Sequence, residues 1–128
     1  MIVCPVGATV ITFDDIPNAD PAQGTIPAVY ANLQWVDANY VNATVLPASG
    51  YRFLVVSGEY IAWNRDALTV QTLLTNNTIT LHSCMMAAGW SDSVTVTVVG
   101  YRSATQLYTI SFSLNTYQKV VAIFQWPG

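Results

Sequence analysis

Two stretches near the C-terminus alternate strictly between apolar and hydroxylated residues. Val94, Val96 and Val98 fall on one side of an extended chain, and Thr95 and Thr97 fall on the other. Tyr108, Ile110, Phe112 and Leu114 likewise share a face, with Thr109, Ser111 and Ser113 opposite. A repeat of two residues matches the pleat of a strand and cannot lay one continuous stripe along a helix. This commits the C-terminal third to half-buried β-structure.

The rest of the chain speaks the same way. Thr9–Phe13 is β-branched and aromatic, and Asp14-Asp15-Ile16-Pro17 ends it. Residues 18–27 carry Asn, Asp, Pro and Gly and read as a loop. One or two short strands are expected in Tyr30–Val41, around Trp35 and Tyr40. Pro47-Ala48-Ser49-Gly50 is a turn, and Phe53–Ser57 with Tyr60–Trp63 reads as a hairpin about Ser57-Gly58-Glu59. Thr78–Met85 is a further strand. Val120–Phe124 is apolar on both faces, which predicts a strand covered on both sides. No segment carries a 3.6-residue period with caps. The expected class is all-β: an antiparallel β-sandwich of about eight short strands.

At 128 residues without an internal linker or repeat, residues 1–128 form one sandwich domain with an N-terminal segment, 1–8. Charged residues make up 9% of the chain, well below the roughly 25% of an average soluble domain. The four basic residues, Arg52, Arg65, Arg102 and Lys119, are scattered, which argues against nucleic acid as a partner. No apolar run is long enough to span a membrane as a helix. So little charge suits a protein that ends in an assembly or matrix.

Cys4 and Cys84 are the two cysteines. Paired, they would close a loop of about 80 residues and contribute roughly 4 kcal/mol in the chain-entropy view. Asn42-Ala43-Thr44 and Asn76-Asn77-Thr78 match the N-glycosylation acceptor pattern, so glycans are expected on Asn42 and Asn76 if the source is a eukaryote. Both features point outside the cell, and a disulfide is the expected state of the cysteines. The opening Met1-Ile2-Val3-Cys4 has neither a basic start nor a long apolar stretch, so a secreted chain would be the mature form or one with an added Met.

Several stretches carry a family resemblance: Ile11–Pro17, Ile26-Pro27 to Trp35, Gly50-Tyr51, Val56-Ser57-Gly58, Ala62-Trp63-Asn64, Leu81-His82-Ser83, Ala87–Asp92 and Val94–Arg102. In this order the chain resembles secreted jelly-roll domains of fungi, oomycetes and bacteria, which are similar to galactose-binding-like carbohydrate-binding modules. The resemblance implies a jelly-roll topology. It also implies a structural Ca²⁺ near the end of the first strand, where Asp14 and Asp15 stand. Ca²⁺ needs six to eight oxygens, and two carboxylates with loop carbonyls supply several; the alternative is a solvated Asx turn. Family members continue past Phe124-Gln125-Trp126 with another strand, whereas this sequence stops at Pro127-Gly128. The expected consequence is an incomplete sheet edge.

Catalysis finds little support. Consecutive carboxylates on a strand end diverge, His82 is the single histidine, and a zinc site would need it, both cysteines and a carboxylate. Aromatic residues are better binding candidates, because an exposed ring can stack on a sugar. Tyr30, Trp35, Tyr40, Tyr51, Trp63 and Trp90 lie in or beside loops. Trp35 and Trp90 have apolar neighbours and are assigned to the core, leaving Tyr40, Tyr51 and Trp63 as carbohydrate-binding candidates. The sequence therefore reads as a non-catalytic extracellular structural module that pairs strands with copies of itself, with a sugar-binding module as the alternative.

Overall fold

Short apolar runs punctuated by Pro, Gly, Asn and Asp favour many brief strands over a few long ones. A computed structural model describes residues 9–67, 72–75 and 78–127 of the chain. The described strands are β1 (Gln23–Thr25), β2 (Val29–Tyr30), β3 (Leu33–Val36), β4 (Asn39–Asn42), β5 (Tyr60–Trp63), β6 (Thr72–Leu74), β7 (Leu81–Met86), β8 (Val94–Arg102), β9 (Thr105–Leu114) and β10 (Val120–Trp126). One short helix, α1, covers Gly50–Leu54. The fold is all-β and antiparallel, sandwich-like and, among the described residues, without a closed barrel. Its sheets are small: β1-β4-β5, β2-β3-β6, β7 with β10, and β8 with β9.

The alternating stretches form the β8–β9 hairpin in a register that keeps like faces together, with Val96 opposite Phe112, Val98 opposite Ile110 and Thr97 opposite Ser111. Apolar residues share its inner face, while Thr97 and Ser111 meet on the outer face with their hydroxyls 2.8 Å apart.

Elsewhere the structure departs from expectation in instructive ways. Thr9–Phe13 is not a strand; Ile11 makes an isolated bridge, and Phe13 turns the chain with a left-handed φ of 69°. Tyr60–Trp63 is a strand, but its partner is β4, with Asn42 opposite Tyr60 and Val41 opposite Ile61. The expected partner strand, Phe53–Ser57, is replaced by α1 and the turn after it. Ser49 caps this helix, its Oγ accepting from the Arg52 amide, and so satisfies an amide that the first turn leaves open.

The first turn ties distant segments together. Phe13 packs edge-on against Trp35 at 5.7 Å and beside Tyr30 at 5.9 Å. Asp14 Oδ1 accepts from the amides of Glu59 and Tyr60 at 2.9 and 3.0 Å, and its Oδ2 accepts from Ser57 Oγ. Asp15 accepts from the Tyr30 hydroxyl. Burial first, then this hydrogen bond and the Asp15 charge, hold the Tyr30 phenol well above its ordinary range.

Two core clusters result. One joins Ile11, Phe13, Ile16, Ile26, Tyr30, Ala38 and Tyr40; the other joins Val41, Ala43, Leu54 and Ile61. Neither includes a residue of β8, β9 or β10. That part of the molecule is held by ring contacts instead: Phe112 meets Phe124 edge to face at 5.9 Å, and Tyr108 stacks on Trp126 at 5.0 Å. A bulge between Ile123 and Trp126, with Gln125 left-handed at φ 50°, adds a residue to β10 and sets Trp126 beside Tyr108. The expected double cover of Val120–Phe124 is absent: Ala122 and Phe124 are buried, but Val121 and Ile123 remain 52% and 63% exposed.

Gly58 sits over the Asp14 carboxylate at φ 56°, and a Cβ there would lie 2.2 Å from it. Asp14→Ala and Gly58→Ala should each lower stability by about 1–3 kcal/mol, through lost amide partners and through backbone strain respectively. Because both disrupt one contact, the double variant should cost less than the sum. Urea unfolding of the three variants checks this; single variants that unfold like the parent would show that the tie carries no stability.

The raised Tyr30 phenol adds a pH dependence. Folding favours the neutral form, so the contribution is complete below the ordinary value of 10.0 and is lost as pH rises beyond it. Tyr30→Phe should flatten the alkaline limb of a stability–pH curve measured by denaturant unfolding.

Candidate functional site

Three aromatic rings meet where α1, the end of β5 and the segment after β7 converge. Tyr51 lies in the first turn of α1, Trp63 ends β5, and Trp90 follows Ala87-Ala88-Gly89. The Tyr51 ring is edge-on to Trp63 at 5.7 Å and 89°, and to Trp90 at 6.4 Å and 88°. These are favourable quadrupole arrangements.

Two glycines permit the approach. A Cβ on Gly89 would fall 2.1 Å from the Tyr51 ring, and one on Gly50 would fall 2.0 Å from the Ala88 carbonyl oxygen. Backbone bonds then pin the segment. The Gly50 amide donates to Gly89 O at 2.8 Å, and the Ala88 amide donates to Asn115 O at 3.3 Å. Further along, the Ser93 amide donates to Asn115 Oδ1. Asp92 Oδ1 accepts from both the amide and the hydroxyl of Thr116, and these bonds hold the Asp92 carboxyl below its usual range. Trp90 is thus presented on a braced loop, yet it is 61% exposed. Tyr51 is half-buried beneath it, and burial raises its phenol pKa.

The sequence reading placed Tyr40 at the surface and Trp90 in the core; the structure reverses both. Tyr40 lies on β4, the central strand of its sheet, and is 5% exposed. Its hydroxyl accepts from the Asp20 amide at 2.7 Å, and its ring meets Tyr60 edge-on. Trp90 stands where the buried Ala88-Gly89 segment turns out toward Ser91-Asp92. Tyr51 and Trp63 are brought together as binding candidates, and Trp90 replaces Tyr40 as the third. The one cue available in the sequence was the small-residue run Ala87-Ala88-Gly89, which can pack closely while leaving its bulky neighbour outside.

Asp14 and Asp15 do not converge. Asp14 faces the amides of 59 and 60, whereas Asp15 faces Tyr30. Among the described residues no group of three His, Cys, Asp or Glu side chains gathers at a point. The two carboxylates instead accept from N–H and O–H donors distant in sequence, at residues 57, 59 and 60 for Asp14 and at Tyr30 for Asp15.

The glycan expected on Asn42 does not fit. Asn42 is 6% exposed, its Oδ1 caps the turn at Thr44, and its Nδ2, the atom that would bear a sugar, donates to Glu59 at 3.0 Å. Like Tyr40, it lies on a strand buried on both faces. Asn76 and Cys4 lie outside the described residues. Cys84 is a half-buried thiol on β7 opposite Ala122, and burial pushes its pKa up to about 11. His82 is half-buried on the same strand.

Compared with protein-family models, with curated proteins and with solved structures, the chain matches none.

Because Tyr40 is core and Trp90 is not, alanine at the two positions should separate cleanly. Tyr40→Ala should cost about 3–5 kcal/mol, and Trp90→Ala less than about 1 kcal/mol. Chemical denaturation measures both; a Trp90→Ala loss as large as that of Tyr40→Ala would return Trp90 to the core.

Proposed function

We propose that the chain is a non-catalytic, extracellular structural module that associates with copies of itself through the part built from β7 to β10. The observation that carries this reading is the thin core of that part: Leu114, Ala122 and Phe124 are buried, but no residue of β8, β9 or β10 belongs to either core cluster. Large apolar side chains there stay wet, among them Val121, Ile123, Val99, Leu107 and Tyr101. Fully burying a Val or Ile side chain is worth roughly 1.5–3 kcal/mol, so covering Val121 and Ile123 would reward association. A second copy suits the role because β9 and β10 carry no charged residue and β8 only Arg102 near its end; monomeric proteins usually guard open edges with charge or proline. The extracellular setting rests on the family resemblance and on the second sequon, at Asn76.

One observation favours a second reading. The braced, exposed Trp90 over Tyr51 and Trp63 offers a flat ring on which a sugar could stack, which supports a carbohydrate-binding module. A glycan array with the parent and Trp90→Ala tests it; binding abolished by the substitution supports the reading, and absence of any binding removes it.

For self-association, the parent chain should form higher-order species by sedimentation velocity and negative-stain microscopy. Val121→Lys combined with Ile123→Lys should abolish those larger species while leaving the circular dichroism of the parent. A parent that stays monomeric at high concentration, or a double variant that assembles unchanged, would overturn the proposal.

A further inference from the structure

The outer edge of β8 carries an inference that rests on the self-association reading and specifies its geometry. Among the described residues β8 pairs with β9 alone, so the backbone donors and acceptors along its other side face outward. The exposed edge runs Val94-Thr95-Val96-Thr97-Val98-Val99-Gly100. It is β-branched and uncharged, contains no proline, and has its one glycine at the end. Such a segment is a template for another strand.

Two features fix how much of β8 is regular. Ser93, just before it, is left-handed at φ 59°, and the pairing with β9 shifts register between Gly100 and Tyr101. The regular stretch therefore runs from Val94 to Gly100, and its midpoint is Thr97. Antiparallel pairing of two such stretches overlaps fully only about that midpoint. The pairing is self-consistent on both faces. Thr97 meets Thr97, Thr95 meets Val99, Val96 meets Val98, and Val94 meets Gly100. The even register keeps the valine face continuous with the valine face, and the hydroxyl face with the hydroxyl face.

Charge agrees with the antiparallel direction. β8 ends in Arg102 and is preceded by Asp92, five residues on either side of Thr97; both are exposed. In the antiparallel arrangement the Arg102 end of each strand lies at the Asp92 end of the other, twice by symmetry. A parallel arrangement would instead set Arg102 beside Arg102.

We infer that two copies of this chain pair through β8, antiparallel about Thr97, joining two hairpins into one four-stranded sheet on a two-fold axis. This contact is isologous and closes at two. Larger species then require the separate surface around Val121 and Ile123, so the double-lysine variant should stop at the dimer.

Cysteine crosslinking in that variant tests the register. Opposed residues bring their Cβ atoms to about 4.5–5.5 Å, near disulfide reach. Thr97→Cys should give a covalent dimer under mild oxidation in most of the chain. Thr95→Cys, equally exposed on the same face, should give little above the parent background, and Thr95→Cys with Val99→Cys should restore crosslinking. Thr97→Lys, which places two ammonium groups on the axis, should shift sedimentation from dimer to monomer with unchanged circular dichroism. If the parent assembles but the double-lysine variant is monomeric, or if Thr95→Cys crosslinks as well as Thr97→Cys, the β8 pairing is wrong and the self-association reading stands. If the parent is monomeric, both fall.

Discussion

The turn at Phe13-Asp14-Asp15 is the constraint on which the N-terminal core depends. Three consecutive side chains leave it in different directions. Phe13 enters the cluster with Tyr30 and Trp35. Asp14 fixes the amides that precede and begin β5, and Asp15 fastens the Tyr30 hydroxyl. The chain turns at Phe13 in a left-handed conformation, where a bulky side chain is strained. The strain persists because the packing of Phe13 and the charge-assisted bonds of its neighbours oppose relaxation. Once β5 is placed, β4 is central in its sheet and buried on both faces, which is why Tyr40 and Asn42 both disappear from the surface.

The C-terminal part has no equivalent. A two-stranded ribbon rests on a two-stranded sheet, joined by Phe112 on Phe124 and Tyr108 on Trp126. Isolated ribbons of this kind are marginal, and a third strand or a full apolar cover is what makes them independently stable. The molecule thus joins one well-knit part to one that has apolar faces and open edges to spare. That asymmetry, rather than any single residue, directs attention to association.

How much of this could be read from the sequence follows from which forces decide each feature. β8 and β9 were legible as half-buried strands because their alternation runs over many residues; it excludes odd slips, while the register itself is set by the turn that joins them. Tyr60–Trp63 was legible as a strand, but its partner was not, since strand partners are chosen by tertiary contacts. The helix at Gly50–Leu54 was hidden. A five-residue helix has little intrinsic stability, and this one depends on the Ser49 cap and on Gly50 lying against the 88–89 backbone. The aromatic site was half legible: Tyr51 and Trp63 do meet, but Tyr40 and Trp90 exchanged roles. Local hydrophobicity ranks both as ring residues among apolar neighbours, whereas burial follows from a central strand in one case and an outward turn in the other. The two adjacent aspartates were read as a turn or a cation site, and the donors that settle the geometry come from residues 57–60, far away in sequence.

An open edge alone does not select a partner; the two faces of the ribbon do. Its outer face, with Thr95, Thr97, Thr109, Ser111 and Ser113, is exposed and keeps its hydroxyls in water whether or not another strand adds beside it. Extending that face therefore costs little desolvation. The inner face differs, because Val96, Val98, Ile110 and Phe112 are only half-buried, with Phe112 meeting Phe124 of β10. A strand added at β8 gains most when it presents apolar side chains inward and hydroxyls outward in the same period, and β8 of a second copy does so over the full regular length. A partner of opposite phase would set valine against hydroxyl along the whole ladder and forfeit cover on the inner side. The same alternation that fixes the hairpin within one chain thus also restricts which strand can extend it between chains.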